Sequence, residues 1–190
     1  SRPLKTLVMV GESQPAFVHA LGYAINEKLG SLGLALTLTE PVEANPPSAD
    51  NSIETLSADM AAGKVGALFI IGGNPAATAT PDTGFVAAMK DQTKVPLRVR
   101  LGLFDDETSE LCHWHLPEAH PLEAWSDARA FDGTLSVQQP LIAPLYDGKS
   151  AHELVQALLG DSTTPGYEIV RATWKPRFPE GAGFEKSWRQ

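Results

Sequence analysis

Short apolar runs alternate along this chain with stretches whose apolar residues recur every three or four positions. Leu4–Val10 is mostly apolar and rich in branched residues, and it ends at Gly11, which predicts a buried strand. Ser13 is placed to cap a helix and Pro15 suits a first turn. Phe17, Leu21 and Ile25 then fall at helical spacing, with Val18 and Leu29 widening the stripe and Gly30 closing it. Leu34–Thr39 predicts a second strand. Residues 41–50, with Pro46-Pro47, predict a loop. Asn51 or Ser52 caps a helix with Ile53, Leu56 and Met60 inward, ended by Gly63. Ala67–Ile71 predicts a third strand, broken by Gly72-Gly73-Asn74-Pro75. Thr80-Pro81 opens a short helix with Phe85 and Met89 inward. Leu97–Leu101 alternates strictly, Leu97, Val99 and Leu101 one way and Arg98 and Arg100 the other. The arginines are expected on a solvent face or an interdomain contact.

Strands separated by helical stretches pair in parallel, because each crossover returns the chain to the same edge. The expected fold is α/β, a doubly wound Rossmann-like parallel sheet with helices on both faces. An irregular β segment follows over Leu111–Pro144. Ser150 to Glu153 has the pattern of a capping box, opening a helix with Leu154, Val155 and Leu158 inward and Gly160 at its end. Tyr167, Val170 and Trp174 form one further stripe, and Phe184 with Trp188 another. This divides the chain into an α/β domain, 1–160, and a C-terminal helical extension, 161–190.

Composition narrows the function more than the fold. The net charge of −8 opposes nucleic-acid binding, which needs a basic stripe to displace counterions. The longest apolar runs fall far short of the roughly 20 residues of a membrane helix, so no direct membrane insertion is expected. The opening Ser1-Arg2-Pro3 does not have the form of a secretory leader. The single cysteine, Cys112, excludes a disulfide, an all-cysteine zinc site or a cysteine-held iron–sulfur cluster built from these residues alone. The chain is read as a piece of a longer polypeptide.

In a doubly wound sheet, ligands bind beyond the carboxyl ends of the strands. Gly11 to Ser13, Gly72 to Pro75 and Gly102 to Asp106 are expected there. Glycines allow close backbone approach, N–H groups can face a phosphate, and Thr78 and Thr80 can add hydroxyls. The plainer reading is that glycine and asparagine simply turn the chain. Neither a dinucleotide fingerprint nor a P-loop is present. Glu110, Cys112, His113, His115, Glu118 and His120 are metal-ligand types, and an extended segment would point His113 and His115 the same way. No zinc spacing is met, so a polar strand at a junction is preferred and no metal is assigned. Asp105, Asp106 and Glu107 are expected at a helix N-terminus. No catalytic residue is assigned.

Leu68 to Pro75 (LFIIGGNP) resembles the strand and loop of the molybdopterin oxidoreductase (dimethyl sulfoxide reductase) superfamily. Thr108 to Glu123 (TSELCHWHLPEAHPLE) is similar to a later stretch of it, with Leu116-Pro117 and Glu123 in register and Asp132-Gly133 matching a following motif. Val10 to Pro15, Pro41 to Pro46, Leu103 to Pro117, Gln139 to Tyr146 and the ending from Gly166 to Trp188 resemble one branch. That branch is the Tat-variant-translocated molybdopterin oxidoreductase, the iron–sulfur subunit of alternative complex III.

The resemblance implies an oxidoreductase subunit on the periplasmic side of a bacterial membrane, passing electrons from quinol toward cytochrome c or an oxidase. Its implied partners are the other domains of the parent chain and membrane quinol-oxidising and multihaem cytochrome subunits. Molybdopterin guanine dinucleotide is the cofactor of the wider family, and iron–sulfur clusters sit elsewhere in the parent chain. The implied cofactor-binding positions, vestigial or retained, are Gly72, Gly73, Asn74, Pro75, Thr78, His113 and Glu123. Three departures stand out. His113 replaces an aspartate, and Ala130 and Thr134 replace an asparagine and an arginine. Losing such groups forfeits hydrogen bonds worth about 0.5–3 kcal/mol each. No cofactor is therefore expected on this segment, which would be catalytically silent alone. Two other readings are a genuine molybdopterin guanine dinucleotide-binding domain of an active oxidoreductase and an unrelated small-molecule-binding Rossmann-like module.

Overall fold

The computed structural model describes residues 6–39, 42, 52–177 and 183–188. They fall into two compact units, residues 1–44 with 130–134 and residues 45–129 with 135–190. The fold is mixed α/β.

In the first unit, helix α1 spans Ala16–Lys28. It packs through Gly22 and Asn26, one turn apart, and not through the expected stripe. Phe17 and Leu21 are 73% and 57% exposed. The reason lies in the segment beside the helix. The Asn26 amide accepts from the Val8 N–H and donates to the Val8 carbonyl, both at 2.8 Å. A Cβ on Gly22 would come within 2.5 Å of Val10 Cγ2, so only glycine permits this approach. The Ser31 hydroxyl donates to the Thr6 carbonyl at 2.6 Å. Among the described residues, 6–10 are thus held by side chains and form no ladder. The strand expected over Leu4–Val10 is not formed over 6–10, and Leu4 and Lys5 lie outside the described residues. Leu34–Thr39 is likewise no strand. The chain turns there, with one isolated bridge between Leu32 and Leu36. Nor does Ser13 cap α1, which begins after Pro15 without a side-chain cap. The expected loop at 41–50 lies outside the described residues except Val42.

The second unit holds the sheet. Helix α2 (Ile53–Ala61) is capped by Ser52, whose hydroxyl accepts from the Thr55 N–H at 3.2 Å. Strand β1 (Ala67–Ile71) follows, then a short helix α3 (Pro75–Thr78), a 3-10 turn at Pro81–Thr83 and helix α4 (Phe85–Lys90). Strand β2 is Leu97–Gly102, helix α5 Glu107–Glu110 and strand β3 Trp114–Pro117. The three strands pair in parallel in the order β1-β2-β3, with Ile71 beside Leu101 and Leu101 beside Leu116. The core joins Met60 of α2, Leu68 and Ile70 of β1, Phe85, Ala88 and Met89 of α4, and Val95. The alternation read in Leu97–Leu101 holds, but its environment does not. Arg98 and Arg100 are each only 3% exposed. Helices and loops cover the polar face of β2 as well as its apolar one.

Strands β4 (Ser126–Arg129) and β5 (Leu135–Gln138) form an antiparallel pair. Helix α6 (Ala151–Leu158) opens with the capping box foreseen. Ser150 Oγ accepts from the Glu153 N–H at 3.2 Å, and Glu153 accepts from the Ser150 N–H at 2.9 Å. Ser150→Ala is expected to cost about 1 kcal/mol, checked by urea unfolding. The inward stripe expected on α6 is not inward, for Val155 and Leu158 are 46% and 54% exposed. Helix α7 (Gly166–Trp174) buries Val170. Helix α8 (Phe184–Trp188) returns to it: the Trp188 indole donates to Tyr167 Oη at 2.9 Å, and Tyr167 meets Trp125 edge-on at 4.9 Å.

Candidate functional site

The carboxyl end of β1 runs into Gly72-Gly73-Asn74-Pro75. Gly72 and Gly73 have φ of 62° and 63°, the left-handed region that residues with a Cβ rarely enter. A Cβ on either would meet nothing within 4 Å, so conformation, not crowding, demands glycine here. The Gly72 N–H donates to the Leu101 carbonyl at 3.0 Å, which extends the β1–β2 ladder into the turn. Pro75 then occupies the first turn of α3, where its missing N–H costs nothing.

Arg100 closes the turn from within the fold. Its Nη1 donates to the Gly72 carbonyl at 2.7 Å and the Leu101 carbonyl at 3.0 Å. Its Nη2 donates to the Gly73 carbonyl and to Asp106 Oδ2, the latter at 3.0 Å. Asp106 also caps α5 by accepting from the Ser109 N–H at 3.0 Å. Burial pushes the Asp106 carboxyl up, but Arg100 and the N–H and hydroxyl of Ser109 outweigh it and hold the group below its usual range. Ser109 Oγ lies 3.1 Å from Asp106 Oδ1 and 2.9 Å from His115 Nδ1, carrying the network to β3.

The Asn74 side chain makes two hydrogen bonds. Its Nδ2 donates to Glu107 Oε2 and its Oδ1 accepts from Thr108 Oγ1, both at 2.7 Å. Thr108 Oγ1 accepts in turn from the Ala76 N–H at 3.0 Å. The Asn74 amide, with the Glu107 backbone N–H, lowers the pKa of the Glu107 carboxyl. Thr78 Oγ1 donates back to the Asn74 carbonyl at 3.0 Å.

The other expected positions lie elsewhere. His113 precedes β3 at the amino end of the sheet, roughly 10 Å along the strand from the turn at ~3.3 Å per residue. Its N–H donates to the Arg98 carbonyl at 2.9 Å, and its Nδ1 faces the Arg98 N–H and its Nε2 the Arg98 Nη2, each at 3.1 Å. A neutral ring accepts at one nitrogen only, so one of the two ring contacts is a full hydrogen bond. Glu123 organises a loop: Oε2 accepts from the His120 N–H at 3.0 Å and Oε1 from the Leu145 N–H at 3.4 Å. Asp132-Gly133 forms a tight turn, with Asp132 accepting from the Thr134 N–H at 2.9 Å.

His113 and His115 do not share a ligand position, being tied to Arg98 and to Ser109. Among the described residues no group of three or more His, Cys, Asp and Glu is placed to hold a metal. Cys112 is half-buried against the core, and burial raises its thiol pKa. A separate cavity of about 230 Å³ is walled by Leu103, Glu118, Trp125, Ser126 and His152. Ser126 Oγ and His152 Nε2 are 3.2 Å apart there, but among the described residues no carboxylate is bonded to His152 to orient it as a catalytic base.

No protein-family model and no curated protein matches this chain. Arg100, Glu107 and Thr108 build this site and were not read as part of it, whereas Asp106 was expected at this edge and at a helix N-terminus and is found at both. One signal was available for Arg100. Its strand is flanked by crossovers, and a central parallel strand has both faces covered.

Asn74, Thr78, His113 and Glu123 each already have a partner within the chain. What the turn still offers is the N–H of Gly73 and of Asn74, which make no hydrogen bond among the described residues, and the open space before the glycines.

Proposed function

We propose that this chain is the α/β domain of a molybdopterin-oxidoreductase-like subunit in a respiratory quinol-oxidising complex, serving as a structural and docking domain without a cofactor. One observation carries the reading. Asn74, Thr78, His113 and Glu123, four side chains expected at the cofactor, are each hydrogen-bonded inside the chain. The replacements at His113, Ala130 and Thr134 support it, as do the motif likenesses from Leu68 to Pro75 and from Thr108 to Glu123. On this reading the three-stranded sheet is part of a larger doubly wound sheet. In support, β1 is an edge strand among the described residues, yet Ala67–Ile71 has none of the charges or prolines that protect natural edges. The domain works on the periplasmic side, against the other domains of its parent chain and the membrane and multihaem cytochrome subunits. No helix among the described residues is long and apolar enough to cross a membrane, which agrees with attachment through partners.

The second reading, a retained guanine-dinucleotide site, draws on the open front of the turn and the free Gly73 and Asn74 N–H groups. Calorimetry with guanosine diphosphate separates the two. The cofactor-free reading expects no binding heat at millimolar nucleotide. Saturable heat that Gly73→Val abolishes would replace it with the second.

A further inference from the structure

The buried arginine at the centre of β2 is unexplained by a cofactor-free docking domain. Arg100 serves four acceptors on three parts of the chain: the Gly72–Gly73 turn, its own strand, and the N-cap of α5. Its Nε is buried without a partner among the described residues. Buried ion pairs can often be replaced by apolar residues of similar volume without loss of stability, so stability alone is a poor reason for this one. Gly102 gives independent support. It has no left-handed φ, but a Cβ there would stand 2.8 Å from Arg100 Cζ and Nη2. A glycine at the end of the strand makes room for the guanidinium.

We propose that Arg100 is an internal clamp, a positioning residue that gives the Gly72–Asn74 turn its shape without any ligand and ties it to α5 and β3. Two routes leave the turn. One runs through Arg100, Asp106 and Ser109 to His115 on β3. The other runs from the Asn74 side chain to Glu107 and Thr108, and back to the Ala76 N–H. The planar guanidinium is essential to the first route. Two parallel-facing nitrogens reach adjacent carbonyls and a carboxylate at once, which a single lysine ammonium cannot. The clamp does not depend on whether anything binds the turn, so it can hold or fail independently of the proposed function.

Residue-resolved amide hydrogen exchange on the whole chain tests it. In the wild type without nucleotide, the Gly72, Ala76 and Ser109 N–H groups, bonded to Leu101, Thr108 and Asp106, are expected to be protected. Arg100→Lys and, separately, Gly102→Ala are expected to speed exchange at these three at least tenfold, leaving the β4–β5 pair and α6 unchanged. Guanosine diphosphate is not expected to restore protection. Unprotected turn amides in the wild type, protection that appears only with nucleotide, or variants that change nothing at the turn or loosen the whole chain uniformly would overturn the clamp. The wild-type arm needs no variant to fold. Binding heat with guanosine diphosphate in a protein whose turn is already protected would sink the cofactor-free reading and leave the clamp standing.

Discussion

Replacing Asp106 with alanine is expected to lower unfolding free energy by about 3–5 kcal/mol, read as a fall in the urea midpoint. The size follows from what is left behind. The Arg100 side chain is 4% exposed and its only salt-bridge partner among the described residues is Asp106. Removing the carboxylate strands a positive charge where water cannot reach it, and it also uncaps α5. Replacing both partners, as Arg100→Met with Asp106→Leu, is expected to cost much less, because no charge is then left unpaired. Asp106 also sets a direction for acid sensitivity. Its folded pKa lies below the unfolded value of about 3.9. The pair's contribution is therefore complete above that value and is lost as pH falls through the folded one. Asp106→Asn should remove this part of the acid dependence. If wild type and variant lost stability in parallel from pH 5 to pH 2, the ion pair would not be acting as described.

Phe85→Ala is expected to cost about 3–5 kcal/mol, and Met89→Ala about 2–5 kcal/mol, on the same measurement. Both side chains are almost wholly buried where α4 meets α2 and β1. The cluster is small, and its other large members are Met60, Leu68 and Ile70, so little can shift to fill the space. The glycine before α4 sets its start. Gly84 has φ of 68° and fixes where the helix begins, which places Phe85 in its first turn pointing into the cluster. A loss under 1 kcal/mol for Phe85→Ala would show that α4 does not pack as a fixed wall of the sheet.

Local signals served where a residue's neighbours in sequence are its neighbours in space. The Ser150 capping box, the Ser52 cap, the β1 strand with its glycine turn and the Phe85–Met89 face of α4 were all legible that way. The failures came where burial depends on distant contacts. Periodicity marked Phe17, Leu21 and Ile25 as the inner face of α1. The packing face was chosen instead by Asn26, whose amide matches the Val8 backbone, and by Gly22, which lets Val10 close. Arg98 and Arg100 were expected on a solvent face or an interdomain contact, because charge is usually there. Their partners, a pair of turn carbonyls, an aspartate six residues on and a histidine fifteen residues on, become visible only once β1, β2 and β3 lie side by side. For the same reason the sequence marked the turn and Asp106 but not the arginine that joins them.

On the proposed function, a parent subunit keeps this turn without a pterin cofactor. Metal analysis together with pterin extraction from the purified full-length subunit tests it most directly. The proposed function predicts iron from clusters expected elsewhere in such a subunit, no molybdenum or tungsten above background, and no pterin fluorescence after oxidation. One molybdenum and one pterin–guanine dinucleotide equivalent per subunit would contradict it.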